Sequence, residues 1–209
     1  MKRHLVIFAR APQLGRVKRR LAAEIGPMAA TRFYRATLAA EIRQLANDRR
    51  WTSWLFVTPD DALDHPIWRS AGTRPRLCPQ GSGDLRQRMR LPFRVLPPGP
   101  VVLVGSDIPA LRDGQVVHAF RLLGRNDFVF GPASDGGFWL VGARRLKPMP
   151  RALFAGVRWS TAQALADTLA GLPSGYSCGL ADTLDDVDDA QDLRRWMQAA
   201  QPVRAAWRA

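Results

Sequence analysis

The sequence predicts a three-layer α/β/α sandwich built on a mostly parallel β-sheet, and three observations carry that expectation. Short apolar runs alternate with stretches whose apolar residues recur at helical spacing, the order of stacked strand–helix units. Two of the runs, HLVIFA at 4–9 and PVVLV at 100–104, are apolar at consecutive positions, as strands covered on both faces are. Polar residues follow such runs: Arg10 after VIFA, Asp107 after VVLVG, Asp135 after FVFGP. In parallel sheets, sites lie at the carboxyl ends of strands.

The elements follow in order. Residues 4–9 form a buried strand that enters the loop RAPQLGRVKRR. Tyr34, Leu38, Ile42 and Leu45 fall on one helical face and predict a helix over 28–46. WTSWLFVT at 51–58 is the next strand, stopped by Pro59-Asp60-Asp61. Residues 60–80 read as turn-rich and irregular. LRQRMRLPF after Asp84 predicts a helix broken near Pro92 and Pro97. After the strand that ends at Gly105 come a helix over 112–124 and two strands, DFVFGP (127–132) and FWLVGA (138–143). WST at 159–161 offers an N-cap for a helix over 162–171. A short strand near 176–180 precedes DDVDDAQDLRRWMQ, which begins a terminal helix with acidic residues at its positive end.

With 209 residues, 46% of them apolar, the chain is large enough for one domain that buries roughly 70% of its unfolded surface. A single domain over 1–209 is expected. No apolar run approaches the ~20 residues of a membrane span. The basic MKRH is followed by too short an apolar stretch for a secretory leader, so a cytoplasmic location is expected. Cys78 and Cys178 flank no CxxC, and His4, His65 and His118 are scattered, which argues against a zinc knuckle, a disulfide framework or a histidine metal site. GSD at 105–107 is not a GxSxG nucleophile elbow. The net charge is +13; it fits an anionic partner or a basic solvated surface equally. The aromatics are not interleaved with basic residues, so nucleic acid is not expected; a non-enzymatic polyanion binder is the least favoured reading.

Four pieces carry chemistry. In RAPQLGRVKRRLA, Arg10, Arg16, Lys18, Arg19 and Arg20 bracket Gly15 between a strand and a helix. Glycine lets backbone N–H groups approach an oxyanion, and arginine forks and a lysine charge suit phosphate oxygens. Asp107 either caps the following helix or joins Asp186 and Asp188 of DDVDD as oxygen ligands of a hard cation. Asp135-Gly136-Gly137 is either a hairpin turn or a carboxylate presented where glycine admits a close ligand. Trp159 either stacks on a sugar or base or is half-buried packing.

Together the pieces resemble a known family. FARAPQLGRVKRRLA, GDLRQRM, VVLVGSDIPAL, GPASDGGFWLVG, LFAGVRWST and DDVDDAQDL occur in the order seen in DUF2064 proteins, GT-A-like transferases also known as the rSAM/selenodomain-associated transferase 1 or arsenosugar-biosynthesis type. The resemblance covers about residues 4–195. It implies a nucleotide-diphospho-sugar transferase (GT-A) fold and kinship with the guanylyltransferase of deazaflavin-cofactor synthesis. By that resemblance Asp107, Asp186 and Asp188 fall on divalent-metal positions, and Arg10, Gly15 and Lys18 on the nucleotide-phosphate region. Two residues depart from the pattern: Arg19 stands where threonine is common, and Arg86 where glycine is common.

The expected activity is transfer from a nucleotide-sugar to a small-molecule acceptor, dependent on Mg²⁺ or Mn²⁺. The alternative is nucleotidyl transfer from an NTP to a phosphorylated or carboxylated acceptor. Arg10, Arg16 and Lys18 are the diphosphate ligands, and Lys18 is also placed among the catalytic groups. Gly136 and Gly137 admit sugar or acceptor, and Asp135 is the candidate general base.

Overall fold

The computed structural model describes residues 1–69 and 75–206. Its core is a seven-stranded sheet. β1 (His4–Arg10) lies at the centre and pairs in parallel with β2 (Thr52–Thr58) and β4 (Val101–Val104). β3 (Arg76–Pro79) extends β2 in parallel. Beyond β4 lie β6 (Phe138–Ala143), β5 (Phe128–Pro132) and β7 (Cys178–Leu180). The order is β3-β2-β1-β4-β6-β5-β7. β6 is antiparallel to both neighbours, and β7 is parallel to β5.

The apolar runs of β1 and β4 are continuous because helices cover both faces. Leu5, Ile7 and Ala9 pack with Tyr34, Leu38 and Ile42 of α2 (Pro27–Leu45) and with Val116 and Phe120 of α4 (Asp113–Leu122). Val6, between them, faces the other way, toward Met89 and Phe93 of α3 (Leu85–Val95) and Ala164 of α5 (Ala164–Ala170). This is the expected three-layer arrangement. A smaller cluster joins Leu21 of α1 (Arg19–Ile25), Ala30 of α2, Val187, and Ala190 at the start of α6 (Ala190–Ala206). None of the described helices is long and apolar enough to cross a membrane.

The chain differs from the sequence expectation in four places. Within 60–80, of which 70–74 lie outside the described residues, it forms two 3₁₀ turns and β3; β3 has exposed ends and a half-buried middle, which leaves no alternation to read. α3 runs through Pro92, whose ring is buried beside Met89 and Phe93. α1 starts inside the predicted basic loop and is separated by Gly26, at φ 85°, from α2, which opens on Pro27. α5 starts at Ala164, two residues beyond the expected 162, because Thr161 turns the chain first: its hydroxyl donates to the Arg158 carbonyl and accepts from Gln163 N.

The chain leaves β1 toward β2 and β3, then returns through α3 to β4 on the other side of β1. That reversal opens a crevice beyond the carboxyl ends of β1 and β4, the usual ligand position in such sheets. Two buried side chains of α2 fix its rim. The Tyr34 hydroxyl accepts from Arg10 N at 3.1 Å, donates to Arg10 O at 2.9 Å and accepts from the Ser106 hydroxyl at 3.0 Å. Burial pushes the phenol up to about 12, so it stays a donor. Glu41 is 3% exposed, and its Oε1 accepts from Ile108 N at 2.9 Å. The loops after β1 and β4 therefore hang on one helix.

Burial holds the Glu41 carboxyl well above its ordinary pKa, and the nearby Asp107 charge adds to the effect. The folded chain keeps a proton that the unfolded chain releases, so stability falls as pH rises above the ordinary carboxylate range. Glu41→Gln keeps the size and the acceptor but removes the titration. Urea denaturation at about pH 5 and pH 8 is expected to show the variant losing less stability across that interval than the parent. Equal losses would contradict a neutral Glu41.

Candidate functional site

The site begins with the backbone of Lys18. This residue precedes α1 in the left-handed conformation, φ 46° and ψ 52°, which turns its side chain inward while Arg16 and Arg19 remain exposed. The side chain is 5% exposed, and its Nζ donates to Asp107 Oδ2 and Asp188 Oδ1, each at 2.6 Å. Asp186 Oδ2 lies 4.0 Å away. Arg20 closes a second ion pair on Asp188. Backbone bonds knit the same three segments: Leu21 N to Asp188 O at 3.0 Å, and Val187 N to Asp107 O at 3.3 Å.

DDVDD divides its work residue by residue. Val187 is 1% exposed and packs with Leu21 and Ala30. Side chains alternate along non-helical backbone, so Asp186 and Asp188 face together toward Lys18. Asp185 accepts from Ser134 N at 2.8 Å and from its hydroxyl at 3.1 Å. Asp189 and Asp192 cap α6: Asp192 N donates to Asp189 Oδ1, and Asp192 Oδ2 accepts from Asp188 N and Asp189 N. The acidic helix start and the ligand pair are both present, carried by different residues.

Asp107, Asp186 and Asp188 each offer an oxygen within 4.8 Å of the others'. Burial, then the Asp107 and Asp188 charges, push the Asp186 carboxyl up to about 7. Burial also raises Asp188, but the Lys18 charge and the bonds from Lys18 and Arg20 outweigh it and leave that carboxyl below its ordinary value. For Lys18 the carboxylates outweigh burial and hold the ammonium charged. Such crowding of hard oxygen donors, only partly neutralised by one ammonium, fits a divalent cation of the Mg²⁺, Mn²⁺ type.

A cavity of about 460 Å³ opens beside these groups, lined by Asp107, Asp186, Asp188, Arg20, Asp135 and Trp159 among others. Asp135 sits in the tight connection between β5 and β6. Its Oδ1 accepts from Gly137 N at 2.8 Å, and Oδ2 remains free to face the cavity. It makes the turn and lines the cavity at once. Gly137 also lines the cavity, but Gly136 does not. Gly136 has φ +84°, and a Cβ there would lie 2.1 Å from the Ala162 carbonyl oxygen. The close neighbour at Gly136 is therefore the chain's own backbone. Trp159 does two things: it packs on Phe138 and Phe154, with ring centroids 6.1 and 5.9 Å away, and it lines the cavity.

Arg10, Gly15 and Arg16 do not line the cavity. Arg10 and Arg16 are exposed and find no side-chain ion pair or hydrogen bond among the described residues, and the space beside Gly15, at φ +72°, is open. Lys18, expected to face phosphate, is instead committed to carboxylates. Sequence reasoning also missed Glu41, although an acid inside the apolar stripe Tyr34, Leu38, Ile42, Leu45 was a readable signal. It named Arg20 among the five basic residues of the loop but did not single it out as the one that lines the cavity. Arg86, in the place of a common glycine, binds the Arg151 carbonyl at 2.9 Å and so ties α3 to the segment before Trp159.

Comparisons with known proteins agree with this architecture. The family model described as "Uncharacterized protein conserved in bacteria (DUF2064)" matches residues 40–161. A search of curated proteins gives no match. Among solved structures, a protein of Desulfovibrio desulfuricans G20, described as a nucleotide-diphospho-sugar transferase, superposes with a TM-score of 0.84 at 26% identity, covering 96% of this chain and 88% of that one. The 4-diphosphocytidyl-2C-methyl-D-erythritol synthase of Anaerococcus prevotii DSM 20548 gives 0.61 at 10% identity, over 94% and 96% of the two chains. The glucosyl-3-phosphoglycerate synthase of Mycobacterium tuberculosis, in complex with Mn²⁺, UDP and glucosyl-3-phosphoglycerate, gives 0.52 at 12% identity, over 89% and 72%. These last two likenesses concern the fold alone. The chain belongs to the DUF2064 family and has the fold of the nucleotide-diphospho-sugar transferases.

Proposed function

We propose that this protein is a metal-dependent transferase that moves a glycosyl group from a nucleotide-diphospho-sugar to a small acceptor. The observation that carries the reading is the meeting of Asp107, Asp186 and Asp188 around Lys18 at the mouth of a cavity, beyond the carboxyl ends of β1 and β4. The likeness to the D. desulfuricans protein supports it.

The chain's own groups have separable tasks. Asp107, Asp186 and Asp188 hold the cation, Mg²⁺ or Mn²⁺. That ion, when bound, neutralises negative charge that develops on the departing nucleoside diphosphate. Lys18 keeps the three carboxylates converged and adds a fixed positive charge beside them. Arg10 and Arg16, uncommitted at the exposed loop around Gly15, bind the outer phosphate oxygens. Trp159 and Gly137 bound the space for sugar and acceptor. Asp135, held at Oδ1 by Gly137 N, takes the acceptor proton at Oδ2.

Incubation with Mn²⁺ and a panel of nucleotide-sugars and NTPs checks which bond breaks. Release of a nucleoside diphosphate from one sugar nucleotide, abolished by EDTA, is expected. Pyrophosphate from an NTP would assign nucleotidyl transfer instead, and release of neither would contradict both assignments. Asp135→Asn keeps an oxygen for Gly137 N, so the thermal melt is expected to be unchanged. Turnover is expected to fall by roughly 100-fold or more; unchanged turnover would remove Asp135 from the chemistry.

A further inference from the structure

The cavity wall has two chemistries. Asp107, Asp135, Asp186 and Asp188 make it acidic, and among the described residues Arg20 is the one basic side chain that lines it. Arg20 is already paired with Asp188. The rest of the wall includes Phe8, Leu85, Met89, Phe138 and Trp159. This apolar side is firmly backed: Phe138 stacks on the buried Phe154 with centroids 6.2 Å apart, and Trp159 packs against both. Ser160 and Thr161 also line the cavity.

We propose that the acceptor is an uncharged, hydroxyl-bearing molecule with an apolar ring face, seated against Trp159 and Phe138, and that phosphorylated and carboxylated acceptors are rejected. This inference rests on the reading of the cavity as the transfer site and specifies its substrate class. An anionic acceptor would enter beside four carboxylates, and the one cation of the wall among the described residues, Arg20, is already paired with Asp188, so losing its water is costly. A single divalent cation does not change this, because the donor's diphosphate takes up its charge. A ring face laid on Trp159 and Phe138 loses no hydrogen bonds and gains apolar burial. The same seat brings a ring hydroxyl toward Asp135. The hydroxyl oxygen bonds to the anomeric carbon as the anomeric bond to the diphosphate breaks. The leaving nucleoside diphosphate keeps that electron pair, and Asp135 Oδ2 receives the proton.

Two probes test the assignment by titration calorimetry: phenyl β-D-glucopyranoside, which is uncharged and carries a ring, and 3-phosphoglycerate. The protein is first loaded with Mn²⁺ and whichever of ADP, CDP, GDP, UDP and dTDP binds most tightly. The glucoside is expected to bind at least about tenfold more tightly than 3-phosphoglycerate. Trp159→Ala is expected to weaken the glucoside by about tenfold, and Trp159→Phe to recover most of that loss. Equal or tighter binding of 3-phosphoglycerate, or a glucoside affinity indifferent to Trp159→Ala in a folded variant, would overturn the proposal. The loading step separates the two readings. Failure of every diphosphate to bind with Mn²⁺ defeats the transfer site and this inference with it. Nucleotide binding followed by a preference for 3-phosphoglycerate defeats the acceptor assignment alone.

Discussion

One buried ammonium organises the working edge of this protein. Lys18 reaches Asp107 across 89 positions of sequence and Asp188 across 170. Neither side of the arrangement is stable alone. A lysine this deeply covered needs opposite charge, and carboxylates this close repel one another until one takes up a proton. Burial first, and then the Asp107 and Asp188 charges, raise the Asp186 carboxyl despite the ammonium 4.0 Å away. Three carboxylates crowded around one ammonium are a donor set that could hold a divalent cation.

The fold supplies the convergence by simple means. β1 and β4 are adjacent and parallel, so the loops that leave them start side by side. α2 then holds both, through Tyr34 on the Arg10 backbone and Glu41 on the amide after Asp107. Val187, anchored against α1 and α2, brings in the third segment. Each anchor is a buried side chain acting on backbone, so the carboxylates are placed without being consumed. The cavity beyond them then joins an acidic end to an aromatic wall, and that contrast suits a charged donor and an uncharged acceptor in one space.

Much of this was legible in the sequence, where the relevant physics is local. The consecutive apolar residues of β1 and β4 announced strands buried on both faces, and the polar residues after them marked the rim. The motif around Asp135 offered both a turn and a cavity carboxylate, and the structure contains both. What was not legible depends on direction. The basic loop contains five cations, and only the left-handed backbone at Lys18 decides which one turns inward. Gly136 and Gly137 look alike in sequence, yet one meets Ala162 and the other the cavity. β3 escaped notice because a four-residue edge strand with exposed ends and a half-buried middle has no hydrophobic face to repeat.

The central claim is that residues from three distant segments form one cation site beside Lys18. Crystals of the intact protein, soaked in MnCl₂ and measured on both sides of the manganese absorption edge, address it directly. An anomalous peak is expected within coordinating distance, about 2.2 Å, of carboxylate oxygens of Asp107, Asp186 and Asp188, with Lys18 still adjacent. A manganese peak elsewhere on the molecule, with those three carboxylates still bound only to Lys18, would contradict it.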